Sequence, residues 1–272
     1  MIDIFALAHT STHNCLDMDI FNDQYVNAKT IACGFTKPDK YDLSEVSDFF
    51  PSYASLNSSV FESSVILTIW EHVETLCKGT HIGFVHTDIM PFYKKEELWP
   101  MIEKELAIPE CTLGISFPTN CTESQTGVWE LKDNFVLRPS KDPMLHNRFD
   151  PEKSIWDVIK RVDPNIYEFA LSKDPPMLYS HMFITSMKNF GKLGFKLKNV
   201  LERLSAIELG LWTPHLFERL VGLYLTEISD VKNVCAFEHL AGSSPLKPST
   251  FALYGTRNYK YFKNSRKIFS EI

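Results

Sequence analysis

Apolar residues in this chain fall into short unbroken runs separated by longer stretches of helical period. Ile2 to Ala8 is a run of strand length that stops at His9-Thr10-Ser11. Ile82-Gly83-Phe84-Val85 is another, stopping at His86, Thr87 and Asp88 before Pro91. Unbroken runs of this length mark strands buried on both faces. Between them the pattern predicts a helix over residues 56–78, with Val60, Val65, Leu67, Ile69, Val73 and Leu76 forming a broad apolar surface. Asn57 or Ser58 suits its cap, and Glu62 falls in its first or second turn. Strand, helix, strand is the outline of an α/β unit.

Further on, Glu96–Leu106 reads as a short surface helix. Ser154–Arg161 and Ile166–Leu171 read as two short helices parted by Asp163-Pro164. Leu178–Thr185 predicts a strand, Met187–Ile207 a longer helix, Leu216–Ile228 an apolar helix and Val234–Phe237 a last strand. The stretch from His9 to Pro51 is polar and contains proline. Residues 108–150 are irregular, with β-like pieces at Thr112–Phe117 and Phe135–Leu137. With no repeat, low-complexity tract or linker, the reading is one α/β domain over residues 1–272, of which 230–272 form a C-terminal extension.

Composition narrows the class. A chain of 272 residues with 44% apolar and 23% charged residues suits a globular enzyme. A net charge of −6 argues against a nucleic-acid-binding face. No apolar stretch reaches the length of a membrane span. The six cysteines are scattered without CxxC spacing, which excludes zinc-knuckle and thioredoxin-like readings. No signal-peptide pattern follows Met1, so reduced thiols and a cytoplasmic location are expected. GxSxG, Walker, HExxH and GxGxxG motifs are missing, which disfavours the commonest hydrolase, P-loop and dinucleotide readings.

The candidate chemistry sits where the apolar runs stop, because ligands in open α/β sheets bind beyond the strands' carboxyl ends. His86 and Asp88 are spaced to hold a divalent cation carrying a diphosphate, or they form a polar loop. His9, Thr10 and Ser11 could grip a nucleoside, or form a turn. Glu62 is the one carboxylate in the otherwise uncharged stretch 56–65. It reads as a substrate ligand or as a first-turn charge favoured by the helix dipole, and Asn57 as a ligand or a cap. Glu218 and Arg219 interrupt an apolar helix just after Trp212-Thr213-Pro214-His215. There Trp212 could form a sugar platform and Glu218 could take a proton from a hydroxyl; the alternative is an internal ion pair. Arg257, Lys260, Lys263, Arg266 and Lys267, interleaved with Tyr254, Tyr259, Tyr261 and Phe262, form a basic tail. That tail suits a diphosphate, an anionic membrane surface or simple solvation.

Taken in order, these segments resemble small glycosyltransferase-like proteins of bacterial capsule and lipooligosaccharide loci, long described only as a domain of unknown function. The matching pieces are Ile4-Phe5-Ala6-Leu7-Ala8-His9, Asn57 through Glu62 to Ile69-Trp70-Glu71-His72, Ile82-Gly83-Phe84-Val85-His86, His181-Met182-Phe183-Ile184 and Glu218-Arg219-Leu220. Two departures stand out. The family continues Tyr-Arg-Arg after its strand histidine, where this chain has Thr87-Asp88-Ile89. In that respect it resembles the variant domains in glycan-building enzymes of large algal viruses. The family's Asn before Met-Phe-Ile is His181 here.

The resemblance implies a single GT-A-like domain, a mixed central sheet flanked by helices. It implies transfer of a sugar from a nucleotide-diphosphate donor, a UDP-sugar by expectation, to a hydroxyl of a carbohydrate acceptor. Inverting, metal-assisted chemistry is expected, with Mn²⁺ or Mg²⁺ on Asp88 and His86 and Glu218 as the base. His9, Thr10, Asn57, Glu62, His86 and Asp88 would line the nucleotide-sugar pocket; His181 and Trp212 would meet the acceptor. The rival readings are a metal-dependent phosphoesterase using His81, His86 and Asp88, and an inactive sugar-nucleotide-binding protein.

Overall fold

The computed structural model describes residues 1–9, 18–33, 44–45, 62–87, 89–91, 94–108, 110–116, 121–123, 129–131, 138–146, 148–150, 153–178, 181–204, 213–235 and 237–239. At its centre is a seven-stranded sheet. The strands are β1 (Ile2–His9), β2 (Val26–Cys33), β3 (Ser44–Glu45), β4 (His81–His86), β5 (Cys111–Ser116), β6 (Phe183–Ser186) and β7 (Asp230–Cys235). Their order across the sheet is β7-β5-β6-β4-β1-β2-β3. Neighbours are parallel except at β6, which runs antiparallel to β4 and β5. From β1 the chain moves out to β2 and β3, then returns to lay β4 on the other side of β1. This reversal is a topological switch point, the place beyond the strands' carboxyl ends where ligands bind in open α/β sheets.

The helices that cover the sheet are α1 (Glu62–Glu71), α2 (Lys95–Leu106), α3 (Ile155–Val162), α4 (Pro164–Lys173), α5 (Met187–Arg203) and α6 (Thr213–Ile228). The two-residue period of a strand divides its side chains between two cores. Ile2, Ile4, Ala6, Val85 and Ile184 pack with Leu98, Trp99 and Ile102 of α2. Phe5, Leu7, Ile82, Phe84 and Phe183 face the opposite way, onto the other five helices. On that side the Phe84 ring lies 5.8 Å from Phe5, 5.2 Å from Phe183 and 5.6 Å from Phe190. Burial on both faces is why the central strands read as unbroken apolar runs.

The α/β class and helix-flanked mixed sheet are as expected, and several boundaries move. The helix expected over 56–78 is α1 followed by a separate turn at Val73–Leu76, with a break at His72. Its expected cap residues, Asn57 and Ser58, lie outside the described residues. The strand expected at Leu178–Thr185 shortens to Phe183–Ser186, where Ser186 caps α5 by accepting from Asn189 N. The polar region before Pro51 hides β2. Its Asn27, Lys29 and Thr30 break up the apolar signal, and Asn27 uses its amide to bond Asp3 at 2.6 Å. The expected last strand divides into β7 and a short piece, Phe237–His239, paired with Ile89–Pro91. The piece expected at Phe135–Leu137 lies outside the described residues. Among the described residues no helix is long and apolar enough to cross a membrane.

Candidate active site

Strand alternation puts His86 on the same face of β4 as Ile82 and Phe84. The antiparallel register pairs Phe183 with Phe84. Carried two residues toward the start of β6, that register brings His181 opposite His86. Helix α1 begins at the same edge, with Glu62 in its first turn. One Glu62 oxygen, Oε1, lies 3.9 Å from His86 Nε2, and Oε2 lies 3.7 Å from His181 Nδ1. These are ion-pair rather than hydrogen-bond distances. The far nitrogen of His181, Nε2, is 2.8 Å from Ser63 Oγ in a buried hydrogen bond. Adjacent residues of α1 thus hold one imidazole at both nitrogens. Thr87 ties this end of β4 to β1, since its N–H and its hydroxyl both donate to Leu7 O, at 3.0 and 3.2 Å.

A second group comes from α6. Arg219, 7% exposed, donates from Nε to Asp142 Oδ2 at 2.8 Å and from Nη1 to Glu218 Oε2. His215, one turn earlier, places Nδ1 3.8 Å from the same Glu218 oxygen. Burial pushes the Glu218 carboxyl upward, but the His215 imidazole and the charges of Arg219 and His181 outweigh it. Glu62 opposes them, and the balance holds Glu218 below the ordinary glutamate value. Because His181 and Glu62 both act on Glu218, the two groups form one electrostatic unit at the carboxyl edge of β4.

Three residues singled out in the sequence therefore meet, Glu62 with His86 and His181, and Glu218 lies within electrostatic reach of Glu62 and His181. His181, expected to touch an acceptor, is 3% exposed with both nitrogens engaged, and stands behind Glu62. His9 closes β1 at the same edge of the sheet. Thr10, Asn57, Asp88, Trp212 and the basic tail lie outside the described residues. The phosphoesterase set is corrected by the fold. His81 and His86 stand at opposite ends of β4 and alternate to opposite faces, about 16 Å apart along the strand, so they do not share a metal. Among the described residues no group of three His, Cys, Asp or Glu side chains is arranged to hold a metal ion. Ser63 and Asp142 were not picked from the sequence. Ser63 is adjacent to Glu62 and was open to notice, whereas Asp142 precedes Pro143 in an irregular stretch with no local signal.

No protein-family model matches the chain, and no curated protein matches it. Among solved structures, the apo form of the WbbM bifunctional glycosyltransferase is similar at a TM-score of 0.46 and 13% identity, covering 91% of this chain and 48% of that one. The chain thus spans about half the length of that protein. Glucosyl-3-phosphoglycerate synthase from Mycobacterium tuberculosis, solved with Mg²⁺ and UDP, is similar at a TM-score of 0.38 and 10% identity, covering 93% of this chain and 75% of that one. Likenesses this loose decide nothing about the chemistry of this chain, which rests on its own side chains.

Proposed function

We propose that this chain is a single-domain, GT-A-like glycosyltransferase that moves a sugar from a UDP-linked donor to a hydroxyl of a carbohydrate acceptor. The observation that carries the reading is Glu62 set between His86 and His181 beside the switch point between β1 and β4, within electrostatic reach of Glu218. Carboxylates backed by imidazoles suit both halves of the task. They accept hydrogen bonds from sugar hydroxyls, and one of them removes a proton from the attacking hydroxyl.

In the proposed reaction the acceptor oxygen forms a bond to the anomeric carbon as the bond to the donor diphosphate breaks. The acceptor proton passes to Glu218, and the configuration inverts. A carboxyl held below its ordinary range is ionised at neutral pH and ready to accept. Glu62, 16% exposed and flanked by two imidazoles, orients the sugar. His9, Thr10 and Asn57 are assigned to the nucleotide pocket, and Trp212 to the acceptor. Asp88 with His86 would hold a Mn²⁺ or Mg²⁺, which when bound neutralises charge on the leaving diphosphate. Of that pair, His86 lies among the described residues, at the end of β4.

Calorimetric titration with UDP, with and without Mn²⁺, tests the donor class, followed by transfer assays with UDP-sugars and acceptor glycans. Glu218→Gln is expected to bind UDP while losing transfer by about 10²-fold or more. Asp88→Ala is expected to lose the metal-enhanced part of binding. No UDP binding in either condition would remove the donor assignment. Binding without transfer to any acceptor would leave a sugar-nucleotide-binding protein.

A further inference from the structure

Arg219 is a buried cation shared by two carboxylates with different surroundings. Asp142 is fully buried, whereas the Glu218 side chain keeps 20% of its surface open. The segment that presents Asp142 is fastened at several points. Asp142 N donates to Arg138 O at 2.9 Å. Arg138 in turn donates from its guanidinium to Asp174 O. Ser140 donates from its backbone N–H and its hydroxyl to the Asp174 carboxylate, at 2.8 and 2.6 Å. Asp174 itself caps the end of α4 in the left-handed region, at φ 42°. A chain of polar contacts therefore runs from the end of α4, through residues 138–142 and Arg219, to Glu218.

We propose that Asp142 is a positioning residue for the transfer reaction, fixing the Arg219 guanidinium so that Glu218 is steered by one edge of it and not neutralised by the whole of it. The inference rests on Glu218 being the base. A guanidinium carries several donors in a rigid fork and readily takes a carboxylate with two of them. Asp142 occupies Nε, which leaves Glu218 the Nη1 edge. Without the Asp142 charge, Arg219 is free to turn its fork onto Glu218. That locks the carboxylate in a bidentate pair, where it meets acceptor hydroxyls poorly. The loss of a nearby negative charge and the closer cation both move the Glu218 titration to lower pH.

The test uses the full chain labelled with ¹³C-glutamate, its Glu218 carboxyl signal identified by loss in Glu218→Gln. In Asp142→Asn that signal is expected to titrate at lower pH than in wild type. Transfer should fall about tenfold or more in kcat, with the donor KM changed less than about threefold. Asp142→Glu, which restores the charge, should recover most of both. An unmoved Glu218 titration in a folded Asp142→Asn overturns the proposal. If that variant does not fold, Asp174→Gly releases the Ser140 anchor at a half-buried position where positive φ suits glycine. It should move the titration the same way by less, and no movement there overturns the proposal equally. The titration needs no substrate. A shifted signal in a protein that transfers no sugar sinks the function and keeps the positioning role; unchanged titration in an active enzyme does the reverse.

Discussion

Helix α5 carries two glycines, Gly191 and Gly194, whose replacement by alanine should have opposite effects on stability. A Cβ built at Gly191 meets nothing within 4 Å. The same atom at Gly194 would lie 2.0 Å from Cγ of Trp70, 2.2 Å from Cδ1 and 2.4 Å from Cδ2. These atoms are the root of the indole, and Trp70 is pinned by its own Nε1–H, which donates to Gly191 O at 3.0 Å. The ring therefore cannot swing aside without losing that bond. Alanine is favoured over glycine in a helix by about 1 kcal/mol, partly through the unfolded chain, and this gain is common to both sites. Gly191→Ala should keep it and gain up to about 1 kcal/mol. Gly194→Ala must set it against an overpacking cost of about 1–3 kcal/mol, and contacts this short put the cost at the upper end. The expected outcome is a net loss of about 1–2 kcal/mol, a separation of about 2–3 kcal/mol between variants of identical chemistry. Urea unfolding would show this as midpoints moving in opposite directions at constant m, by about 0.3 M per kcal/mol if m is about 3 kcal/mol/M. Trp70 belongs to the helix whose first turn holds Glu62 and Ser63, so Gly194→Ala should also weaken sugar transfer while Gly191→Ala leaves it alone. Equal shifts of the same sign in the two variants would refute the packing of α1 on α5 from which the prediction is drawn.

Two further outcomes follow from the site. Ser63→Ala strips a hydroxyl from the fully buried His181 Nε2 at 2.8 Å. An unmade buried hydrogen bond costs about 1–3 kcal/mol against a helix gain of about 0.5 kcal/mol, so stability should fall by about 1–2 kcal/mol. The ¹⁵N shifts of His181 should move with it, and unmoved shifts would show that the hydroxyl does not hold the ring. The Glu218 carboxyl is held below the ordinary glutamate value, so its charged-state contribution to stability is present above that value and fades only as pH falls through the lower folded one. Transfer activity that depends on Glu218 as base should accordingly persist through the ordinary glutamate range. A pH–rate profile whose acid limb has its midpoint above the ordinary glutamate range would place the base elsewhere.

What could be read from the chain and what could not divide along physical lines. Strands buried on both faces announce themselves, so Ile2–His9 and His81–His86 were visible at once, together with the polar residues that end them. Glu62 and Glu218 stood out because a charge in an apolar stretch is costly without a partner. The strand Val26–Cys33 was not legible, because its polar positions have partners supplied by the fold, as Asn27 does in Asp3. Asp142 was invisible for the same reason. Its carboxylate pairs with Arg219, on a helix 77 residues further along the chain.

The pairing of His181 with His86 shows the same limit from the other side. Each histidine is visible in the sequence, but nothing local says that β6 runs antiparallel to both of its neighbours. That one reversal puts the start of β6 beside the end of β4, and it lets residues near 181 reach the edge where ligands bind in such sheets. A parallel β6 would have carried His181 to the opposite edge, beside Asp3 and His81. Much of the candidate site therefore depends on the direction of a four-residue strand. The strand is held in that direction by antiparallel ladders on both sides, and Phe183 and Phe190 both pack on the Phe84 ring beside it. Substitutions at Phe84 should then disturb His181 and Glu62 as much as the core, although Phe84 touches no ligand in the proposed reaction.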